Sequence, residues 1–253
     1  MSLEIVKQQL KQVRLWHASR EIESVLEKHE KAVNLAWVSE LLQREIDSRK
    51  ENAVKLRIKK AGFPELTSLE NFDWGFNPDI GEDKIRELAD LKFIEEHLIA
   101  LFLGPPGVGK THVALALGTL AVQRGYTVYW ASAKKLARQI SMYRQRNQLD
   151  LFFKKVLSAK LWVIDDWGVI SMEREIAEEI FDLLDRRKHQ AAMILTSNRD
   201  VSEWGEVFPD PVIANATIDR IFDRAKIVLF KGQSYRLKGR IKNRDGGIDN
   251  ALN

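Results

Sequence analysis

The chain has 253 residues, 45% hydrophobic and 30% charged, with a formal net charge of +4, which suits a globular protein of one ordinary domain plus a smaller one. It contains no cysteine, which excludes a disulfide framework and a thiolate zinc site. No apolar run approaches the roughly 20 residues needed to cross a bilayer, and the N-terminus lacks a signal-peptide core, so a cytoplasmic location is expected.

From Ser2 to Lys60 the chain is rich in Leu, Ile, Val, Glu, Lys and Arg, and neither glycine nor proline occurs before Gly62. Apolar positions recur at helical spacing, as in Val33, Ala36, Trp37 and Leu41, which fall on one face. Two or three helices are expected, forming an N-terminal domain over 1–66. Its basic residues outnumber its acids, which suits a nucleic acid or a protein partner without choosing between them. Gly62-Phe63-Pro64 then breaks the helix, because proline disfavours helix in the residue before it. The segment 69–78 reads as an extended linker, with Phe72, Trp74 and Phe76 expected to pack on a core rather than on a nucleotide base.

Beyond Ile80 strands and helices alternate, which predicts a parallel sheet with helices on both faces. Strands are expected at 99–103, 127–131, 161–164, 192–196 and 225–230. Helices are expected at 83–96, 110–124, 133–157 and 173–188.

Between the strand ending at Leu103 and the helix starting at Lys110 stands Gly104-Pro105-Pro106-Gly107-Val108-Gly109-Lys110-Thr111, a G-x-x-x-x-G-K-T phosphate-binding loop. Its glycines let successive backbone N–H groups turn inward onto phosphate oxygens. Lys110 carries a positive charge to the β- and γ-phosphates of ATP, and the Thr111 hydroxyl is a Mg²⁺ ligand. The helix opened by His112 and its neighbours adds its positive end to the same site. Downstream, the apolar strand 161–164 runs into Asp165 and Asp166. In this setting the first acid holds Mg²⁺ and the second polarises the attacking water. The strand 192–196 delivers Ser197 and Asn198, and an amide there can reach the γ-phosphate or its water.

Two basic runs stand out. Lys134, Lys135, Arg138, Arg144, Arg146, Lys154 and Lys155 face a single acid, Asp150, and Lys226, Lys231, Arg236, Lys238, Arg240, Lys242 and Arg244 face none. Such concentration is the footprint of a polyphosphate partner.

The loop at 104–111, the Asp165-Asp166 pair, Thr196-Ser197-Asn198, Ser202-Glu203-Trp204-Gly205-Glu206, Ile218-Asp219-Arg220 and Gly232-Gln233-Ser234-Tyr235-Arg236 together resemble the IstB family. These are AAA+ ATPases that assist the transposases of bacterial insertion sequences and are relatives of DnaC-type helicase loaders. The resemblance implies an AAA+ domain over 67–238 with a parallel five-stranded sheet and no C-terminal helical lid, followed by a flexible tail over 239–253. It implies ATP and Mg²⁺ held between the subunits of a homo-oligomer, with Arg220 as the arginine finger donated to a neighbour's γ-phosphate and Arg224 as its competitor. Lys134, Lys135, Arg138, Arg144, Arg146 and Lys154 lie where initiator and loader ATPases carry a helix that tracks DNA backbone. The implied function is assembly on duplex DNA, remodelling of that DNA, and recruitment and stimulation of a partner transposase. A DnaC-like helicase loader is the alternative, and a nucleotide-gated DNA adaptor without turnover is a third. Two departures stand out: Asp166 replaces the glutamate of most AAA+ members, as it tends to in the resembling family, and without a lid no sensor role is expected of Arg236.

Overall fold

Runs of five to seven apolar residues bounded by turns leave no polar face to expose, so they are stable as strands only when covered on both sides. The runs at 99–103 and 192–197 are of this kind, and they pair in parallel in one sheet with three further strands, the last of which, 225–229, carries Lys226 and is largely exposed. The computed structural model describes residues 2–28 and 35–238. Val33, the basic residues Arg240, Lys242 and Arg244, and the expected tail over 239–253 lie outside the described residues. The chain divides into two compact units, Met1–Leu56 and Arg57–Asn253.

The first unit holds α1 (Leu3–Gln12), α2 (Trp16–Glu27) and the start of α3 (Ala36–Ala61). Its core is small: Val6, Leu10 and Val13 meet Leu42 and Ile46, each aliphatic contributing about 1.5–3 kcal/mol on full burial. The buried polar residues are paired, with Ser39 Oγ donating to Gln9 Oε1 at 2.9 Å and Ser19 Oγ to the Lys7 carbonyl at 3.0 Å. The expected apolar face is not the buried one. Trp37 and Leu41 are 64% and 59% exposed, because α3 carries two apolar stripes and the one continued by Leu42 and Ile46 meets α1.

In the second unit come α4 (Glu82–Leu88), α5 (Lys92–Glu95), β1 (Ile99–Leu103), α6 (Lys110–Gln123), β2 (Val128–Ser132), α7 (Ala133–Gln145), α8 (Leu149–Leu157), β3 (Leu161–Trp167), α9 (Arg174–Arg187), β4 (Ala192–Ser197), α10 (Pro211–Phe222) and β5 (Ala225–Leu229). The strand order β2-β3-β4-β1-β5 sets β1 between β4 and β5. Ile99, Leu101, Trp162, Ile164, Met193 and Leu195 face a core shared with α7 to α10. On the other side α6 packs across β2, β3 and β4. Among the described residues no helix is long and apolar enough to cross a membrane.

Three elements differ from expectation. The helix expected over 83–96 is broken at Leu91, whose φ is 66°, while Asp90 Oδ1 accepts the Lys92 N–H at 2.9 Å and starts a new turn. The stretch 133–157 is likewise two helices, divided at Asn147 with φ 51°. Helix α10 was not expected at all. Its signal is Asp210-Pro211: Asp210 caps the Val212 N–H at 2.8 Å and proline occupies the first turn.

Candidate nucleotide site

Because β1, β3 and β4 are adjacent and parallel, the residues that follow or end them converge on one edge of the sheet. β1 delivers the loop Gly104–Gly109, which turns into α6 at Lys110. Two glycines are obligatory there. At Gly104 (φ 152°) a Cβ would collide with the Phe230 carbonyl, and at Gly107 (φ 82°) with the Ser234 side chain. Lys110 is 4% exposed, and its Nζ donates to the Gly104 and Pro105 carbonyls, each at 2.7 Å. The ammonium is thus folded back on the loop that carries it. Burial pushes its pKa down to about 8, against the pull of Asp166 and Asp165.

β3 runs past the expected end at Ile164 to Trp167, and its pairing with β4 is interrupted between Ile164 and Trp167. Asp166 sits in that irregularity with φ 56°, a conformation costing about 1–2 kcal/mol in a non-glycine residue. Asp165, 6% exposed, accepts from Thr111 Oγ1 at 2.9 Å and from Thr196 Oγ1 at 2.5 Å. Thr196 Oγ1 in turn accepts the Asp166 N–H at 3.1 Å, and Asn198 Nδ2 donates to Asp166 Oδ1 at 3.1 Å. Desolvation and the neighbouring Asp165 charge raise the Asp166 pKa, opposed by the Asn198 bond and by Lys110. A hydroxyl and a carboxylate at hydrogen-bond distance are hard oxygen donors that fit Mg²⁺. Among the described residues no group of three or more His, Asp and Glu side chains could hold a metal, so an ion here would also need phosphate oxygens and water.

Beside the loop lies a cavity of about 290 Å³, lined by Gly107, Val108, Gly109, Lys110, Thr111 and His112 from the loop and helix, and by Phe72, Phe76, Asn77, Tyr235 and Arg236. Two distant segments close it. Asn77 Nδ2 donates to the Gln233 carbonyl at 3.0 Å, and the Gln233 N–H returns to Asn77 Oδ1 at 2.9 Å. The Tyr235 N–H donates to the Gly107 carbonyl at 2.9 Å, and Phe76 meets Tyr235 edge-on at 5.1 Å. The linker aromatics are therefore not core residues. Phe72 and Phe76 line the cavity, while Trp74 packs edge-on against Phe72 at 4.6 Å.

The structure brings Lys110, Thr111, Asp165, Asp166 and Asn198 into one hydrogen-bonded or charge-coupled group. His112 anchors the linker instead, its ring nitrogen 3.2 Å from the Ser68 carbonyl, although it also lines the cavity. Pro105 and Pro106 are exposed and, with Gly104, lie beside the cavity rather than in its wall. Arg220 stands apart on α10, paired with Asp185 at 2.8 Å and with Asp219 at 3.5 Å. Lys134, Lys135, Arg138, Arg144, Arg146 and Lys154 are all exposed on α7, α8 and the turn between them. Lys135 sits over the Trp130 ring at 5.0 Å and Arg144 is 3.8 Å from Glu179. Arg236 was given no role from sequence, yet it lines the cavity and its charge acts on both Lys110 and Asp166. The basic run and the Gly232–Arg236 segment both contain it, but neither assigns it to the nucleotide.

A family model described as IstB-like ATP binding protein matches residues 7–243. The chain belongs to this IstB-like family. It is 38% identical over 92% of its length, and 89% of the relative's, to a Pseudomonas aeruginosa protein named as an ATP-binding protein of insertion sequence IS21. It is 36% identical over 78% of its length, and 79% of the relative's, to one of insertion sequence IS5376 from Geobacillus stearothermophilus. Among solved structures it resembles AMPPCP-bound DnaA from Aquifex aeolicus, with a TM-score of 0.56 and 22% identity over 70% of this chain and 53% of DnaA. The DnaC helicase loader gives a TM-score of 0.52 and 22% identity over 58% of this chain and 86% of DnaC. The fold is that of the AAA+ ATPases, and this IstB-like chain is an ATP-binding member of it.

The segments that marked the family have structural work at the site. Trp204 of the S-E-W-G-E run is fully buried, and its Nε1 donates to Ser197 Oγ at 3.1 Å, which donates to the Trp167 carbonyl at 2.8 Å. That chain ties the end of β4 to the end of β3, where Asn198 and Asp166 meet. The G-Q-S-Y-R run forms the wall over the loop.

An ammonium held near pKa 8 becomes more basic beside phosphate, so nucleotide binding near pH 8 should take up protons. Calorimetric titration of ATP in buffers of different ionisation enthalpy is expected to show buffer-dependent heats at pH 8 that vanish near pH 6.5. Lys110→Ala should abolish the dependence.

Proposed function

We propose that this chain is the ATP-driven helper of an insertion-sequence transposase, assembling on duplex DNA as a homo-oligomer with ATP between its subunits. The observation that carries the reading is the match, over nearly the whole chain, to proteins named for ATP binding in insertion sequences. The exposed basic face of α7 and α8 supports it, since Lys134, Arg138, Arg146 and Lys154 make no ion pair among the described residues.

In this reading the backbone amides of Gly107 to Lys110 cradle the phosphates and Lys110 leaves the loop carbonyls to reach them. Thr111 and Asp165 hold Mg²⁺, which supplies charge neutralisation on the β- and γ-phosphates. Asp166 accepts the proton of the attacking water and Asn198 fixes its carboxylate. Arg220 of a neighbouring subunit approaches the γ-phosphate, where its planar fork spans two oxygens. DNA is held through phosphates by Lys134, Lys135, Arg138, Arg144, Arg146 and Lys154, without base readout. Hydrolysis dismantles or resets the assembly once the transposase is engaged.

The test is ATPase rate and oligomer size with duplex and single-stranded DNA across a salt series. Stimulation by duplex, weakening with salt, is expected. Stimulation by single strands alone would make the protein a helicase loader, and DNA binding without phosphate release an adaptor without turnover. Lys134→Ala with Arg138→Ala, four residues apart on one face of α7, should lower the slope of log affinity against log salt by about two and leave ATP binding in the absence of DNA unchanged. An unchanged slope would remove α7 from the interface.

A further inference from the structure

Helices α9 and α10 pack side by side, and two ion pairs join their C-terminal ends. Lys188 Nζ meets Asp223 Oδ2 at 2.9 Å, and Arg220 Nε meets Asp185 Oδ1 at 2.8 Å. The first fixes the backbone that carries Arg220, because Asp223 is the residue that closes α10. The second engages Nε, as several local arginine pairs of this chain do, but it joins two helices, 35 residues apart in sequence. An arginine facing a carboxylate can fork onto it with two parallel N–H bonds. Here the closest approach of Asp185 is to Nε–H, at 2.8 Å, and Nη1 meets the exposed Asp219 at 3.5 Å. Nε is gripped, and the Arg220 side chain as a whole is one-third exposed.

We propose that Asp185 is a positioning residue for Arg220, holding the guanidinium by Nε so that its two terminal nitrogens face a neighbouring subunit's γ-phosphate. The inference rests on the reading of Arg220 as a finger supplied in trans. An unheld surface arginine gives up its rotamer freedom each time it docks, whereas one gripped along its side has already lost it. With Nε held by Asp185, the terminal N–H groups serve two phosphate oxygens once the long, exposed contact of Nη1 with Asp219 is given up. Asp185 is about half exposed, and an ion pair of that exposure adds little to stability. Its removal therefore acts on rate rather than on folding.

The experiment uses the full chain assembled on duplex DNA and compares Asp185→Asn, Asp185→Ala, Arg220→Ala and the Asp185→Ala/Arg220→Ala double variant. Asp185→Asn and Asp185→Ala are expected to lower kcat for ATP about tenfold, with KM for ATP and Tm unchanged. In the Arg220→Ala background, Asp185→Ala is expected to cost nothing more, since residues acting through one group are not additive. A further independent loss in the double variant would overturn the proposal, as a merely structural role predicts. Faster hydrolysis by Asp185→Ala would overturn it too, by showing that the acid parks the arginine. If Arg220→Ala alone is inactive and both Asp185 variants are normal, Asp185 loses its role and the finger stands. If Arg220→Ala is normal, the finger and its positioning fall together.

Discussion

Lys110→Ala is expected to lower ATP hydrolysis by at least about 100-fold, on the scale of losing one charged donor to a transferring group, and to abolish ATP-dependent assembly. The fold should survive, and the reason is local. The Lys110 ammonium is buried, and its hydrogen bonds among the described residues go to two loop carbonyls, so its removal deletes an unfavourable buried charge along with two hydrogen bonds. The linkage points the same way. Its pKa is about 8 in the folded chain against an ordinary 10.5, so the unfolded chain binds more protons between those values and stability rises with pH across them. Below pH 8 the charge is carried at its full cost, and the variant's Tm at pH 7 should equal or exceed that of the parent. Gel filtration with ATP and a thermal melt check both halves. Normal assembly, or a large fall in Tm, would contradict the argument.

Asp166→Asn should separate binding from turnover. Asparagine is nearly isosteric and tolerates the left-handed backbone that Asp166 adopts at φ 56°. The ATP-bound oligomer should therefore form and persist, while hydrolysis falls about 100- to 10,000-fold for want of a proton acceptor. Parent activity should also fall as pH drops through the raised Asp166 pKa, because only the carboxylate accepts a proton. A single-turnover assay in which Asp166→Asn released phosphate normally, or dissociated faster than the parent, would exclude the role.

The sheet was legible in the sequence for a simple reason. Strands buried on both faces are short continuous apolar runs, and β1, β2 and β4 begin and end within a residue of where those runs do. The phosphate loop was legible because its spacing is itself the geometry. What escaped depends on contacts made far along the chain. Asn77 pairs with Gln233, and Arg236 reaches a cavity opened by Gly107 to His112. No local pattern near Asn77 or Arg236 encodes either meeting. The break at Leu91 escaped for another reason: a leucine announces no left-handed turn, whereas at Asn147 the only local signal is the asparagine itself, which favours that backbone. On α3, periodicity identified an apolar stripe but could not say which of two stripes would find a partner.

The strand order has a consequence for synthesis. β1 pairs only with β4 and β5, both of which lie far downstream, and parallel strands cannot be joined by a tight turn. While the chain is emerging from the ribosome, the phosphate loop is therefore made before the strands that flank β1. The linker side of its wall is already made, and the other side arrives last, with Phe230, Ser234 and Tyr235 closing on glycines translated long before. A nascent chain stopped before Ala192 would carry the whole phosphate-binding motif and still be unable to retain ATP. Competence arrives in one late step, once nearly the entire second unit has been translated.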